Sequence, residues 1–511
     1  WDISFMSHYL IQQALFDAKT VGELDQLAHQ KGDISPFELM SRAGDGAFAE
    51  LLENFGRPHC IHVFCGAGNN GGDGYIIASL AAHEKISVRI YELGNPARMS
   101  DETKRARQQC IDANVKFEPF DAGCNLSEGV IVDALIGTGF TGDLSDEFAI
   151  AIECINSSLL PVLAVDIPSG LASDTGAVQE VAVKADITVT FVAPKQGLFT
   201  GRGTALCGDV VYDSLDIPDE ILHQRSPSAE LMSVDDLIEY LPESEADVHK
   251  SQRGHCMVIG GDHGTGGASL LAAQSCLQVG AGLVSHATRP EHVLASLVRQ
   301  PEIMACGVVS GQELEPLLDR PTVLVVGPGL GRSSWSEQML QKAMSQDLPM
   351  VVDADALNII ADGRVVTDVA NRSWVMTPHP GEAARLLGIS VAEIEIDRFA
   401  AVRKLQQKYN AVILLKGAGT LIYGDQTRPI QICPYGNPAM ATAGMGDILS
   451  GIIGGLIAQG MDLFTATELG CCLHSKAADM AVEELGHRGL VASDILAFVR
   501  AILNQSTFLT E

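Results

Sequence analysis

The sequence is short of positive charge: 34 lysines and arginines stand against 64 aspartates and glutamates, a net charge of −30. A surface of that sign repels nucleic acid and anionic membranes, so neither is expected as a partner. Any phosphate-bearing ligand must then be held by local devices, against the overall field. The twelve cysteines include no CxxC pair and no Cys/His metal spacing, which leaves buried free thiols in a reducing, cytoplasmic setting as the expectation. No apolar run is long enough to cross a membrane. The longest, around residues 448–458, is broken by glycines and reads as a buried core helix. No basic stretch followed by an apolar run marks a signal peptide, and the chain opens on Trp1 rather than Met, which points to a trimmed beginning.

Glycine, by contrast, is plentiful. There are 51 in 511 residues, above the usual share of ~7%, as many tight loops between strands and helices would require. That length exceeds one ordinary core, so two domains are expected, with the boundary near residues 218–230, where periodicity fades around Ser226-Pro227-Ser228.

Residues 436–451 carry the densest signal. Gly444 and Gly446 precede an apolar helical repeat of Ile448, Leu449, Ile452, Ile453 and Leu456. The first N–H groups of a helix lack internal partners and its dipole is positive there, so the start of this helix suits a phosphate. Asp447 is out of place in that setting. A carboxylate there can cap the helix. Beside a phosphate it makes sense as the base that takes a proton from an attacking hydroxyl.

In the first half, Ser35-Pro36-Phe37-Glu38 has the form of a helix start, and the periodicity predicts helices over 17–30 and 35–55. Cys60–Cys65 reads as a strand, residues 66–74 as a loop, 75–83 as a helix and 86–91 as the next strand: a βαβ unit. The loop is not a well-formed GxGxxG, yet it sets Asn69, Asn70 and Asp73 among five glycines. A tight turn stabilised by Asn and Asp is the plain reading. Two more strand ends repeat the pattern, Asp133-Ala134-Leu135-Ile136-Gly137-Thr138-Gly139 and Asp166-Ile167-Pro168-Ser169-Gly170. In a parallel sheet all three gather on one edge, where open α/β sheets bind ligands. Oxygens of Asn70, Asp133 and Ser169 can hold a hard cation. Lys184 precedes the strand 186–192 and reads as an exposed lysine.

In the second half, strands alternate with helices and end in Gly260-Gly261-Asp262, Gly327-Pro328-Gly329, Asp353-Ala354-Asp355, Thr377-Pro378-His379 and Lys416-Gly417-Ala418-Gly419-Thr420. The alternation predicts a mainly parallel, helix-covered sheet. His379 between two prolines reads either as a hydrogen-bonded structural residue or as a ligand contact. Lys416 reads either as a solvated strand end or as a phosphate contact. It is not a Walker lysine, because it precedes its glycines.

With these motifs in order, residues 1–225 resemble the NAD(P)HX epimerase domain, a Rossmann-like α/β sandwich. Residues 226–511 resemble the ADP- or ATP-dependent NAD(P)HX dehydratase domain, a ribokinase-like α/β fold. The resemblance implies a bifunctional enzyme that interconverts the S and R hydrates of NADH and NADPH and dehydrates the S form. It places Asn69, Asn70, Gly71, Gly72, Asp73, Gly137, Thr138, Gly139, Phe140, Thr141, Gly142 and Asp143 around the epimerase substrate. Asp166 lies at the reacting centre, and Asn70, Asp133 and Ser169 bind K+. Ala268, Gly329, His379 and Asp447 face the hydrated dinucleotide in the dehydratase, and Lys416, Gly417, Ala418, Gly419, Thr420 and Gly446 face the nucleotide. ADP, with Mg2+, is the expected co-substrate, ATP the alternative, and a homo-oligomer is expected. The resemblance is looser where His263-Gly264-Thr265-Gly266 replaces a loop that carries tyrosine in some forms, and where Ala439 and Ala443 replace common glycines. Two rivals are a ribokinase-like vitamin-pathway kinase and a nucleotide-binding protein without turnover.

Overall fold

The structure is a computed structural model and describes residues 13–32, 34–120, 126–139, 144–242, 247, 249–363, 365 and 373–504. The chain forms two compact units, Trp1–Glu230 and Leu231–Glu511. No helix among the described residues is long and apolar enough to cross a membrane. The described cysteines are all free, and all but Cys154 and Cys306 are buried.

In chain order the first strands are β1 (Ala14–Leu15), β2 (Cys60–Cys65), β3 (Ser87–Glu92), β4 (Lys116–Pro119), β5 (Val130–Ala134), β6 (Val162–Val165), β7 (Ile187–Phe191), β8 (Asp209–Asp213) and β9 (Ala229–Leu231). β1 pairs antiparallel with β9, Leu15 opposite Ala229. The other strands form a parallel sheet in the order β4-β3-β2-β5-β6-β7-β8. Such a sheet is covered on both faces, so its strands are apolar throughout rather than alternating with polar residues. Ile61, Val63 and Cys65 of β2 join Val132 and Ala134 in one core, while Phe64 and Ile131 enter a second core on the opposite face. β2 lies between β3 and β5, so the chain leaves it in both directions. The crevice that opens at such a reversal is where ligands bind in open sheets.

Residues 69–74, expected as loop, are helical: the helix runs Asn69–His83 with Gly68 at its N-cap. Its glycines are poor helix formers, but here they permit contact. A Cβ at Gly71 would lie 2.0 Å from the Gly66 carbonyl oxygen, and one at Gly74 would lie 2.6 Å from Ala134 Cβ. Close packing against the strand ends therefore overrides propensity, and Asn69 to Asp73 form the first turns of the helix.

The second unit continues with β10 (His255–Ile259), β11 (Leu283–Thr288), β12 (Met304–Gly307), β13 (Val323–Val326), β14 (Met350–Val352), β15 (Trp374–Met376), β16 (Val412–Leu415), β17 (Leu421–Tyr423) and β18 (Ile430–Ile432). Its order is β18-β17-β16-β15-β14-β13-β10-β11-β12, parallel from β16 to β12 and antiparallel at β17 and β18. The reversal falls between β10 and β13. The helix Met445–Ala458 is apolar all round and buried within one core, as a helix of that pattern must be.

Candidate active sites

In the first unit the edge loops enclose a cavity of ≈ 780 Å³. Its lining includes Asn69, Asn70, Asp73, Gly137, Thr138, Gly139 and Asp166, together with Asp25 and Lys195, which the sequence patterns did not single out. Phe140, Thr141, Gly142 and Asp143 lie outside the described residues. Gly71 and Gly72 are buried in the helix start.

Asp166 follows β6 with φ +70°, a left-handed angle that is costly for a residue with a Cβ. Its N–H donates to the Val189 carbonyl at 2.7 Å, which fixes the turn. The turn delivers the carboxylate to Lys195, with which it forms a short ion pair. Lys195 is 1% exposed and also donates to Thr190 Oγ1 at 3.1 Å and to the Phe191 carbonyl at 2.8 Å. Lys184, in contrast, is exposed.

Asp133, fully buried at the end of β5, accepts from Ser169 Oγ at 2.6 Å and from Ser169 N–H at 2.8 Å. Burial pushes its carboxyl up to about 6, against the pull of those hydrogen bonds. Nearby, the buried Asn70 finds no acceptor for its amide N–H groups and no donor for its Oδ1 among the described residues. A Cβ at Gly137 would lie 3.1 Å from Asn70 Cβ, so glycine lets that loop close over the amide. An amide oxygen and a carboxylate that have no cationic partner among the described residues are oxygen donors that could hold a hard cation.

In the second unit Asp353 ends β14, 1% exposed. It accepts from Lys416 Nζ at 2.6 Å and from Ser450 Oγ at 2.6 Å. This corrects one reading of the sequence: Lys416 is no solvated strand end. Burial works against its ammonium, but Asp353, Glu382 and Asp447 outweigh it and hold the pKa above the ordinary lysine value. Asp447 lies in the first turn of the helix Met445–Ala458, half-buried. Burial first, then the Asp353 charge, pushes its carboxyl up to about 6, with Lys416 pulling down. A Cβ at Gly446 would sit 3.2 Å from Lys416 Nζ, so glycine is what lets the helix start approach the lysine.

His379 caps the helix Pro380–Leu387: its Nδ1 accepts from Gly381 N–H at 3.0 Å, and Glu382 returns a bond to the His379 N–H at 2.9 Å. The ring is thus both a structural cap and half exposed at the sheet edge. Its pKa is lowered, chiefly by burial and then by the Lys416 charge. Burial pushes the Glu382 carboxyl up to about 7. Ala268 and Gly329 meet where the loops after β10 and β13 cross, a Cβ at Gly329 lying 3.1 Å from Ala268 Cβ. Asp262 N–H donates to the Gly329 carbonyl at 2.7 Å across the same crossing. After β16 Gly417 and Ala418 are exposed and Gly419 is buried, with Thr420 Oγ1 donating to the Gly417 carbonyl at 3.0 Å. Beneath them the buried Arg398 donates to the carbonyls of Leu415 and Lys416.

Comparison with known proteins gives the two units separate matches. A family model described as YjeF-related protein N-terminus matches residues 36–197, and one described as NAD(P)H-hydrate dehydratase matches residues 256–500. The chain is 44% identical over 490 residues to the bifunctional NAD(P)H-hydrate repair enzyme Nnr of Coxiella burnetii, covering 96% of this chain and 99% of that one. The Escherichia coli enzyme of the same name is 39% identical over 470 residues, covering 92% and 90%. Among solved structures, a ribokinase-like superfamily protein from Enterococcus faecalis is 26% identical with a TM-score of 0.50, covering 54% of this chain and 96% of that one.

Proposed function

The chain belongs to the family of bifunctional NAD(P)H-hydrate repair enzymes, and from that premise we propose how its two sites divide the work. The first unit interconverts the S and R hydrates of NADH and NADPH. The second dehydrates the S form at the expense of ADP, giving AMP and phosphate. The observation that carries this reading is one carboxyl at each site: Asp166, ion-paired to the buried Lys195, and Asp447, at a helix start and under the influence of the Lys416–Asp353 pair.

In the epimerase cavity the damaged ring bears a hydroxyl on C6, next to N1. The N1 lone pair expels that oxygen and leaves an iminium ion, to which water returns on either face. Asp166 handles the proton on the oxygen at C6. Asn70, Asp133 and Ser169 would hold K+, whose charge would steady the Asp133 carboxylate and the loops around the ring. The unpartnered Asn70 amide supports that assignment. Asn69 to Asp73 and Gly137 to Asp143 bind the dinucleotide.

In the dehydratase, hydroxide is a poor leaving group and phosphate a good one. The C6 oxygen attacks the terminal phosphorus of ADP and AMP departs, while Asp447 takes the hydroxyl proton. The resulting phosphate ester then expels phosphate as a proton leaves C5, which restores the dihydronicotinamide. The N–H groups at Gly444 to Asp447 receive the charge on the transferring phosphoryl oxygens. Ala268, Gly329 and His379 face the hydrate, and Lys416 to Thr420 with Gly446 face the nucleotide. Mg2+ accompanies the nucleotide phosphates and offsets their charge.

Chemically prepared NADHX mixed with ADP or with ATP tests the assignment. Recovery of reduced-nicotinamide absorbance is expected, faster with ADP. Accumulation of a stable phosphate ester would instead indicate a kinase, and an unchanged mixture would sink the enzymatic reading.

A further inference from the structure

The epimerase cavity contains a carboxyl group that the family motifs leave unused. Asp25 lies on the helix Ala18–Gly32, whose buried residues are Val21, Leu24 and Ala28. Asp25 therefore occupies the apolar stripe of the helix, at i+4 from Val21, where a carboxylate is costly and calls for a reason. Among the described residues Asp25 forms no ion pair. Its Oδ1 is buried and has no hydrogen-bond partner among the described residues, while the side chain lines the cavity together with Asp73, Asp166 and Lys195.

Asp25, Asp73 and Asp166 act on one another and on the single ammonium of Lys195, which is committed to Asp166, while Glu102 and Arg98 also line the cavity. Like charges confined to one cavity do not all ionise. Burial pushes Asp25 up to about 6, with Lys195 pulling down and Asp166 adding to the rise. Asp73 is pushed up as well, by burial and then by Asp166 and Asp25. The cavity accordingly holds one carboxylate fixed by its lysine and a second carboxyl that carries its proton readily.

Resting on the epimerase reading above, we propose that Asp25 is a second catalytic carboxyl of that site, donating the proton to the departing C6 oxygen while Asp166 accepts one from the water that returns. The step balances. The C6–O bond breaks, its electron pair stays on the oxygen, and the Asp25 proton converts that oxygen to water. The N1 lone pair forms the C6=N1 bond. Incoming water forms the new C6–O bond, the π pair returns to N1, and the surplus proton passes to Asp166. The proton returns to Asp25 through solvent before the next cycle. Reversal of the two roles serves the opposite epimer. A two-carboxyl arrangement explains why an acid side chain is built into an otherwise apolar helix face that looks into the cavity.

The test uses the full-length chain without ADP, so that the dehydratase is silent, and follows interconversion of purified R- and S-NADHX by chromatography. Asp25→Asn is expected to lower kcat for interconversion by about 10²–10⁴-fold with KM within a few-fold, and Asp25→Glu to recover part of it. Matching thermal unfolding curves of the Asp25→Asn and parent chains by circular dichroism show that the first unit is folded, and ADP-dependent dehydration of the S hydrate by the second unit should be unchanged. A rise in KM alone, or interconversion at the parent rate, overturns the proposal and returns the proton to Asp73. If the parent chain itself fails to interconvert the epimers, the epimerase reading falls, and this proposal with it.

Discussion

Both units place an acid side chain next to a buried lysine–aspartate pair, but the roles within the pair are exchanged. In the first unit Asp166, proposed above to carry the proton, is itself the partner of the lysine, and its neighbours Asp25 and Asp73 form no such pair among the described residues. In the second unit the lysine belongs to Asp353, locked by Lys416 and Ser450, and Asp447 stands outside the pair, pushed up by burial and then by the charge of its neighbour. The difference suits the chemistry of each. Epimerisation gives a proton to the departing oxygen and takes one from the returning water, so a group of acid–base carriers around one fixed charge serves it. Phosphoryl transfer takes one proton from a hydroxyl, which calls for a single base that is basic enough to hold it and is still ionised at neutral pH.

The sharpest way to break this comparison is to neutralise one acid at a time. Asp447→Asn should lower ADP-dependent recovery of reduced nicotinamide by about 10²–10⁴-fold while epimer interconversion continues. Asp166→Asn should do the reverse: S-NADHX is repaired at the parent rate and R-NADHX only as fast as it epimerises spontaneously. Chromatography of the two epimers with and without ADP reads both outcomes. If either substitution impaired both activities equally, the division of labour between the units would be wrong.

Next in size are the lysines. Lys416→Met leaves Asp353 buried, charged and unpaired, and removing one partner of a buried ion pair costs about 3–5 kcal/mol. Lys195→Met should cost less, because Asp166 is 14% exposed and opens onto the cavity, where water can take over the lost contact. Trp335 and Trp374 are both buried in the second unit, so their fluorescence in a urea titration reports the Lys416 variant. Equal losses for the two lysines would show that the pairs are not differently solvated.

These pairs also mark how far the sequence could be read. Strand ends carrying glycine and a carboxylate stand out, because a parallel sheet gathers such ends on one edge. Asp133 and Asp166 are of this kind, while Asp447 is legible from the glycines ahead of its helix. Lys195 was not legible: a lysine after Pro194 looks like any exposed lysine, and only tertiary packing buries it. The case of Lys416 was similar, its solvated reading failing once Asp353 lay beside it. Asp25 did leave a trace, as a charged residue at the spacing of Val21, Leu24 and Ala28, but polar interruptions of an apolar stripe are common. The start of the helix at Asn69 was missed because glycine argues for a loop. It is settled by close contacts with Gly66 and Ala134, which no local pattern encodes.

A smaller effect separates the cation requirements of the two units. If Asn70, Asp133 and Ser169 hold K+, KCl should raise the thermal midpoint of the first unit above that in choline chloride of equal strength, since a ligand that binds only the folded state stabilises it. A gain of about 1 kcal/mol corresponds to roughly 2–4 °C for a unit of this size. Asn70→Ala should abolish the gain, and the second unit should show none. A gain that survives the substitution would place the cation elsewhere.

The smallest expected effect is also the most diagnostic, because rate and stability should move in opposite directions at one residue. The folded-state pKa of Asp447, about 6, lies above its ordinary 3.8. Between those values the folded protein binds the proton more readily than the unfolded chain does, so this carboxyl costs stability as pH rises through the window, and the full cost persists above it. The base form appears over the same range, so the dehydratase rate should climb as pH rises through about 6 and then level off. Asp447→Asn removes the charge and therefore the cost. At pH 7.5 it should be more stable than the parent by on the order of 1 kcal/mol, allowing for solvent around a half-buried group, and at pH below 4 the two should coincide. A variant that is inactive yet more stable at neutral pH would mark Asp447 as a charge retained for chemistry at the expense of the fold. One that is inactive and less stable would mark it as a helix cap instead.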